Sequence, residues 1–225
     1  MKTLTKLRAM AFCASLSMGI LGMPHANAVV FHNSDLDIYY QQNTFPGGLD
    51  EQQVFLDATT SPSTSITGNV GSQNGLPEVL ITTDIAATAA NGFAQVKGGD
   101  IFHSLTFEIP GFTFGDLMFK TQGLRGPGKQ NDISIAAFLG NTLLGSTSLT
   151  GLGNGLQAWL LLALNDSAID KVVLTSDQGF RRISQIHVSD LSAVPIPASL
   201  PLFLTGLGLL AVLRNRRNRL EKRST

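Results

Sequence analysis

Between residues 29 and 193 the apolar residues recur mostly with period two, and glycine, proline and asparagine breakers interrupt them at short intervals. Such a chain has few architectures open to it. Alternation lines one face of an extended strand with apolar side chains, whereas a helix needs them three and four residues apart. Short distances between breakers also leave no room for helical crossovers. Leu36-Asp37-Ile38-Tyr39-Tyr40 alternates after Asn33-Ser34-Asp35, and Gln53 to Leu56 follows the Pro46-Gly47-Gly48 turn. Val79 to Thr83 and Gly92 to Lys97 form the next pair. Leu105-Thr106-Phe107-Glu108-Ile109 runs until Pro110-Gly111, and Asp116 to Thr121 follows.

Ile133 to Leu139 and Thr142 to Leu144 read as a hairpin whose Gly140-Asn141 turn accepts positive φ. Asp170 to Thr175 and Arg182 to Val188 read as two strands joined through Ser176-Asp177-Gln178-Gly179. The stretch Thr59 to Gly75, rich in Ser, Thr, Gly and Asn, reads as a loop or weak edge strand. Trp159 to Leu164 is continuously apolar, which fits a buried strand or a helical turn equally well. The expected class is all-β, an antiparallel β-sandwich of the jelly-roll kind, and about 165 residues make one domain with a sizeable core.

The ends of the chain read differently. Lys2, Lys6 and Arg8 form a positive region, Ala9 to Met23 an apolar one, and Pro24 precedes Ala26-Asn27-Ala28. This is the form of a secretory signal peptide over residues 1–28, cut by signal peptidase before Val29. Cys13 is the chain's one cysteine and would leave with it, so the exported body, residues 29–193, has no disulfide and depends on its core.

The formal net charge of zero is a cancellation. Residues 29–193 carry seven Lys and Arg (Lys97, Lys120, Arg125, Lys129, Lys171, Arg181, Arg182) against fifteen Asp and Glu, a net of minus eight. An acidic body with only Arg181-Arg182 as adjacent cations has no footprint for nucleic acid, which excludes that class of partner.

Residues 194–225 hold most of the compensating charge, six Lys and Arg against Glu221. Val194-Pro195-Ile196-Pro197-Ala198 precedes an apolar run from Leu200 to Leu213, and Arg214, Arg216, Arg217 and Arg219 follow it. The prolines favour an extended segment, the run suits one transmembrane helix, and arginines beside a span stay on the cytoplasmic side. The body would then face the periplasm. A plain single-pass anchor fits the same features. This three-part tail resembles the PEP-CTERM family of bacterial sorting signals, closest to its Val-Pro-Leu-Pro-Ala variant, with Ile196 at the leucine position. The resemblance implies recognition by an exosortase-like membrane protease, removal of the helix, and delivery of the body to the cell surface or extracellular matrix, often in association with exopolysaccharide. The segment Gly179-Phe180-Arg181-Arg182-Ile183-Ser184-Gln185-Ile186 is similar, more loosely, to the all-β bodies that precede such signals.

Catalytic motifs are sparse. His32, His103 and His187 lie at or within strand edges, and no G-x-S-x-G, H-E-x-x-H or P-loop occurs. Asn33, Asp35 and Asp37 have the spacing with which a calcium loop opens, but Ile38 and Thr44 stand where the turn glycine and closing glutamate belong, which excludes an EF-hand. Asp35 and Asp37 remain weak candidates for calcium in another geometry, and no other cofactor is expected. Gly151 to Gly155 reads as a turn, and Gly123 to Lys129 as a basic loop. Two functions are open: a noncatalytic, carbohydrate-associating surface or matrix body, or an exported hydrolase whose acids, among Asp35, Asp37, Glu78, Asp100, Glu108 and Asp116, meet in the fold.

Overall fold

The computed structural model describes residues 28–42, 51–59, 61–72, 77–89, 95–123, 130–153 and 155–194. Of the terminal features, Ala28, Val29 and Val194 fall within these ranges. The signal-peptide core, Pro195 to Ala198, the apolar run, the arginine tail and residues 124–129 lie outside them.

The described residues form strands and turns with no helix, and every strand pairing is antiparallel. The order in the main sheet is β1 (Ala28–His32), β2 (Leu36–Gln42), β11 (Leu156–Ala163), β8 (Asp116–Gly123), β12 (Lys171–Ser189), β3 (Gln52–Leu56), β4 (Ser63–Val70), β5 (Glu78–Ala89) and β6 (Gln95–Glu108). Strand β6 returns to pair with β12, so β3, β4, β5, β6 and β12 close into a five-strand barrel. Beyond β12 lie β9 (Asn131–Leu139) and β10 (Thr142–Leu152), and a small separate pair joins β7 (Phe112–Thr113) to β13 (Ser192–Ala193).

The expected pair of strands around Ser176-Gly179 is a single strand of 19 residues, β12. It changes neighbours along its length. Residues 171–176 lie between β9 and β6, residues 180–184 between β8 and β6, and His187 and Val188 between β8 and β3. The register shifts between Thr175 and Phe180 and again between Ser184 and His187, and positive φ falls at Gly179 (81°) and Gln185 (52°). Bulges therefore bend the strand where a breaker would have ended it. A side chain on Gly179 would collide with Ile101.

Thr59 to Gly75 is likewise more ordered than its composition suggests. Residues 63–70 form β4, an interior barrel strand paired to both β3 and β5, because Ile66, Gly68 and Val70 alternate inward between polar neighbours. The Trp159 run resolves as strand β11, flanked by β2 and β8. The β9–β10 hairpin turns at Gly140, with φ of 60°.

One contiguous core fills the body, with Trp159, Phe102, Phe107, Phe114, Phe119 and Phe180 among its fully buried side chains. The free edges of β1 and β10 meet through side chains. Asn33 Nδ2 donates to Leu144 O at 2.7 Å, Thr147 Oγ1 donates to Val30 O at 3.3 Å, and the Phe31 ring lies over Gly145. Both edges that could recruit another chain are thereby covered.

Candidate functional site

Two surface features bear on function, and both are products of register. The first lies where β8, β12 and β3 run side by side. Register sets His187 opposite Met118 and Ser189 opposite Asp116, so Leu117 and Val188 point into the core while these polar residues take the other face. Glu51, next to the start of β3, joins them. His187 Nδ1 lies 3.6 Å from Glu51 Oε2, and Ser189 Oγ donates to Asp116 Oδ2 at 2.6 Å.

Electrostatics tune this cluster toward neutral forms. Burial pushes the Glu51 carboxyl upward, and the nearby Asp116 charge pushes it further. Burial holds His187 below the ordinary imidazole value and Lys120 below the ordinary ammonium value. A carboxyl shifted upward, an imidazole shifted downward beside it and a second carboxyl held by a hydroxyl are groups of the kind used in acid–base chemistry. The side chain of Glu51 is only 10% exposed, and Asp116 is 8% exposed. The His187 side chain is 28% exposed, so the cluster opens to solvent at the imidazole.

The linkage has a definite sign. His187, depressed in the folded state, contributes stability that is present above pH 6.5 and lost as the pH falls through its folded value. Glu51, raised in the folded state, contributes stability that is present below pH 4.5 and lost as the pH rises through its folded value. In chemical denaturation, His187→Gln is expected to flatten the loss between pH 7.5 and 5.5, and Glu51→Gln to stabilise at pH 7.5. An unchanged pH profile in both variants refutes the cluster's electrostatics.

Of the acids expected to meet, only Asp116 enters this cluster, and its partner Glu51 was not among them. Alternation does place Glu51 with Gln53 opposite Val54, but no local pattern tells which strand lies beside β3. Glu78 is exposed at the start of β5, Glu108 sits across from Lys171, and the side chain of Asp100 is outside the described residues. Asp35 and Asp37 do not converge. Asn33 Oδ1 accepts the N–H groups of Asp35 and Leu36 at 2.8 and 2.7 Å, so the calcium-like spacing makes an Asx turn into β2. Asp35 Oδ1 accepts Ser167 Oγ at 3.4 Å. Asp37 binds His32 Nδ1 at 2.5 Å and Tyr39 OH at 3.1 Å. No group of three or more His, Cys, Asp or Glu that could hold a metal occurs among the described residues.

The second feature is a strip of hydroxyls on the outer face of the sheet. Register aligns Ser148, Ser134, Thr175 and Ser104 across β10, β9, β12 and β6. The neighbouring rung carries Ser146, then Thr106, Thr82 and Ser65 on β6, β5 and β4. At roughly 4.8 Å between strands, the first rung spans about 14 Å. Ser134 and Ser148 lie 2.6 Å apart, oxygen to oxygen, and Ser65, Thr82, Ser146, Ser148 and Thr175 are exposed. Each hydroxyl is both donor and acceptor, so the strip can exchange water for the hydroxyls of a polymer without burying a charge.

A groove of about 460 Å³ lies elsewhere, between Thr113, Leu139, Gly140 and Asp170 and the departing residues Ser192, Ala193 and Val194. It shares no residue with the Glu51 cluster. No protein-family model matches the chain, and no curated protein matches it.

Proposed function

We propose that this is an exported protein, anchored transiently in the membrane by its C-terminal helix and passed to the cell surface or extracellular matrix, with a noncatalytic body that associates with exopolysaccharide. Signal peptidase would cut before Val29, and an exosortase-like protease would act at Val194-Pro195-Ile196-Pro197-Ala198 while Arg214, Arg216, Arg217 and Arg219 remain cytoplasmic. In this reading the body is a jelly-roll-like sandwich in which one core is enclosed by an antiparallel sheet folded back along β12. The observation that carries carbohydrate association is the hydroxyl strip of Ser148, Ser134, Thr175 and Ser104, uncharged on an otherwise acidic body. Processing is supported by the position of Val194. Its N–H donates to Gly111 O at 2.9 Å, so ordered pairing continues up to the first residue of the proline motif.

A second reading, an exported polysaccharide hydrolase, is favoured by one observation, the coupling of Glu51 to Asp116 beside His187. One preparation separates the two. The surface-released protein is expected to have an intact mass lacking the segment from Leu200 onward, and to bind the producing cell's polysaccharide without shortening it. Thr175→Val with Ser134→Ala is expected to weaken that binding about thirtyfold, at about 1 kcal/mol for each of two lost hydrogen bonds. Polysaccharide cleavage abolished by Glu51→Gln establishes the hydrolase instead, and a retained tail establishes a permanent anchor.

A further inference from the structure

Large apolar side chains are exposed at four described positions: Val29, Leu139, Leu143 and Val194. Three of them gather at one end of the body. Leu139 and Leu143 flank the Gly140 turn of the β9–β10 hairpin, and Leu139 and Gly140 face Val194 across the groove. Leu143 is 52% exposed, Val194 46% and Leu139 40%. This same end is where the chain departs toward its apolar run.

Polar groups at this end are arranged compatibly with a lipid boundary. The hairpin tip is held rigidly, since Gly140 N–H donates to Asp170 Oδ2 at 2.6 Å and Asp170 N–H to Phe138 O at 3.0 Å. The other Asp170 oxygen is buried, so of the two only Oδ2 is held at the turn. Lys171 carries its ammonium 5.0 Å from the centre of the Phe138 ring, beside Leu143, where a cation borders the apolar tip. Apolar side chains at a tip with a lysine behind them match the layering of a membrane interface.

Distance decides the occupant. Five residues lie between Val194 and Leu200, and six extended residue steps reach no more than about 22 Å. A body tethered so closely keeps this end against the bilayer from which its helix emerges. Tethering raises the local lipid concentration so far that contacts too weak for independent binding are populated.

We infer that the β9–β10 hairpin tip, Leu139 and Leu143 with Val194, docks into the headgroup region of the membrane while the chain is anchored. The inference rests on the anchor reading above. Docking fixes the orientation of the body and holds the proline motif at the lipid surface.

The test uses the full chain in a Cys13→Ser background, reconstituted with phosphatidylcholine–phosphatidylglycerol vesicles. A polarity-sensitive fluorophore is attached in turn through Leu143→Cys, Leu207→Cys and, beside the end of the β9–β10 ladder opposite the Gly140 turn, Gln178→Cys. Emission at 143 is expected to rise about twofold or more and to be quenched by nitroxide lipids, with 178 unchanged. Leu139→Glu is expected to return the 143 signal to its aqueous level while 207 stays in lipid. A probe at 143 that remains in water while 207 is quenched overturns docking and leaves the anchor standing. Water at both positions overturns both readings, and lipid at 143 without lipid at 207 removes the anchor and overturns docking that depends on the tether.

Discussion

Replacing Trp159 by alanine is expected to cost about 4 kcal/mol and to lower the melting temperature by roughly 12 °C. Trp159 is fully buried on β11 between β2 and β8, packs on Tyr40 with ring centroids 5.0 Å apart, and donates from Nε1 to Thr121 Oγ1 at 3.0 Å. Alanine removes the largest side chain of the core and leaves a cavity that flanking strands, held by two ladders, cannot close. It also strands the Thr121 hydroxyl in a dry site. Trp159→Phe keeps much of the volume and is expected to lose about 2 kcal/mol. The measurement is thermal unfolding followed by circular dichroism. A loss below about 1 kcal/mol for the alanine variant contradicts the buried position. With Cys13 the chain's single cysteine, no intramolecular disulfide is possible, and a domain of ordinary stability has little reserve against such a loss.

The second large effect belongs to Gly179→Ala, expected at about 3 kcal/mol. Two costs combine there. The backbone has φ of 81°, which disfavours any residue with a Cβ, and the added atom would meet the Ile101 side chain in the facing strand. The same residue holds the bulge together, since Gly179 N–H donates to Ser176 Oγ at 2.9 Å and Asn131 Nδ2 donates to Gly179 O at 3.2 Å. Gly111→Ala separates the two costs. Its φ is 78°, with nothing within 4 Å of the added carbon, so it is expected to lose only about 1 kcal/mol. Equal losses in the two variants would show that the close approach of Ile101 contributes nothing. A larger loss at Gly179 identifies this bulge as the point that lets β12 exchange β9 for β8.

That bulge also marks where local reading stops. Ser176-Asp177-Gln178-Gly179 has the composition of a turn, and in isolation it would be one. Here the strand on each side already has neighbours, and the ladder with β6 resumes at Phe180 after the shift. Continuing the ladder satisfies more backbone groups than reversing the chain would. The β4 segment fails in the opposite direction. Its Ser, Thr, Gly and Asn content signals a loop, but Ile66 and Val70 contribute enough burial between β3 and β5 to make it an interior strand. Strand propensity depends on the neighbours a side chain meets, and those neighbours are distant in sequence.

The candidate sites divide in the same way. Alternation alone says that Ser134, Thr175 and Ser104 point to one face of their strands and Glu51 to the outer face of β3. It cannot say that the three hydroxyls share a rung, or that Glu51 arrives beside His187 and Asp116. A slip of one residue in any pairing would send each to the opposite face.

What the sequence by itself determined is therefore the all-β class, the antiparallel hairpins, the acidic charge of the body and the three-part C-terminal tail. These follow from period, breakers, charge placement and short motifs, which are properties of neighbouring residues. Tertiary structure alone decided that β12 runs unbroken through its register shifts, that β6 returns to it to close a barrel, that the hydroxyls of four strands align, and that Leu139 at the hairpin tip stands across a groove from Val194. Closure and register are set by which sheet arrangement buries one common core with its hydrogen bonds paired, and that competition is settled between residues far apart in the chain.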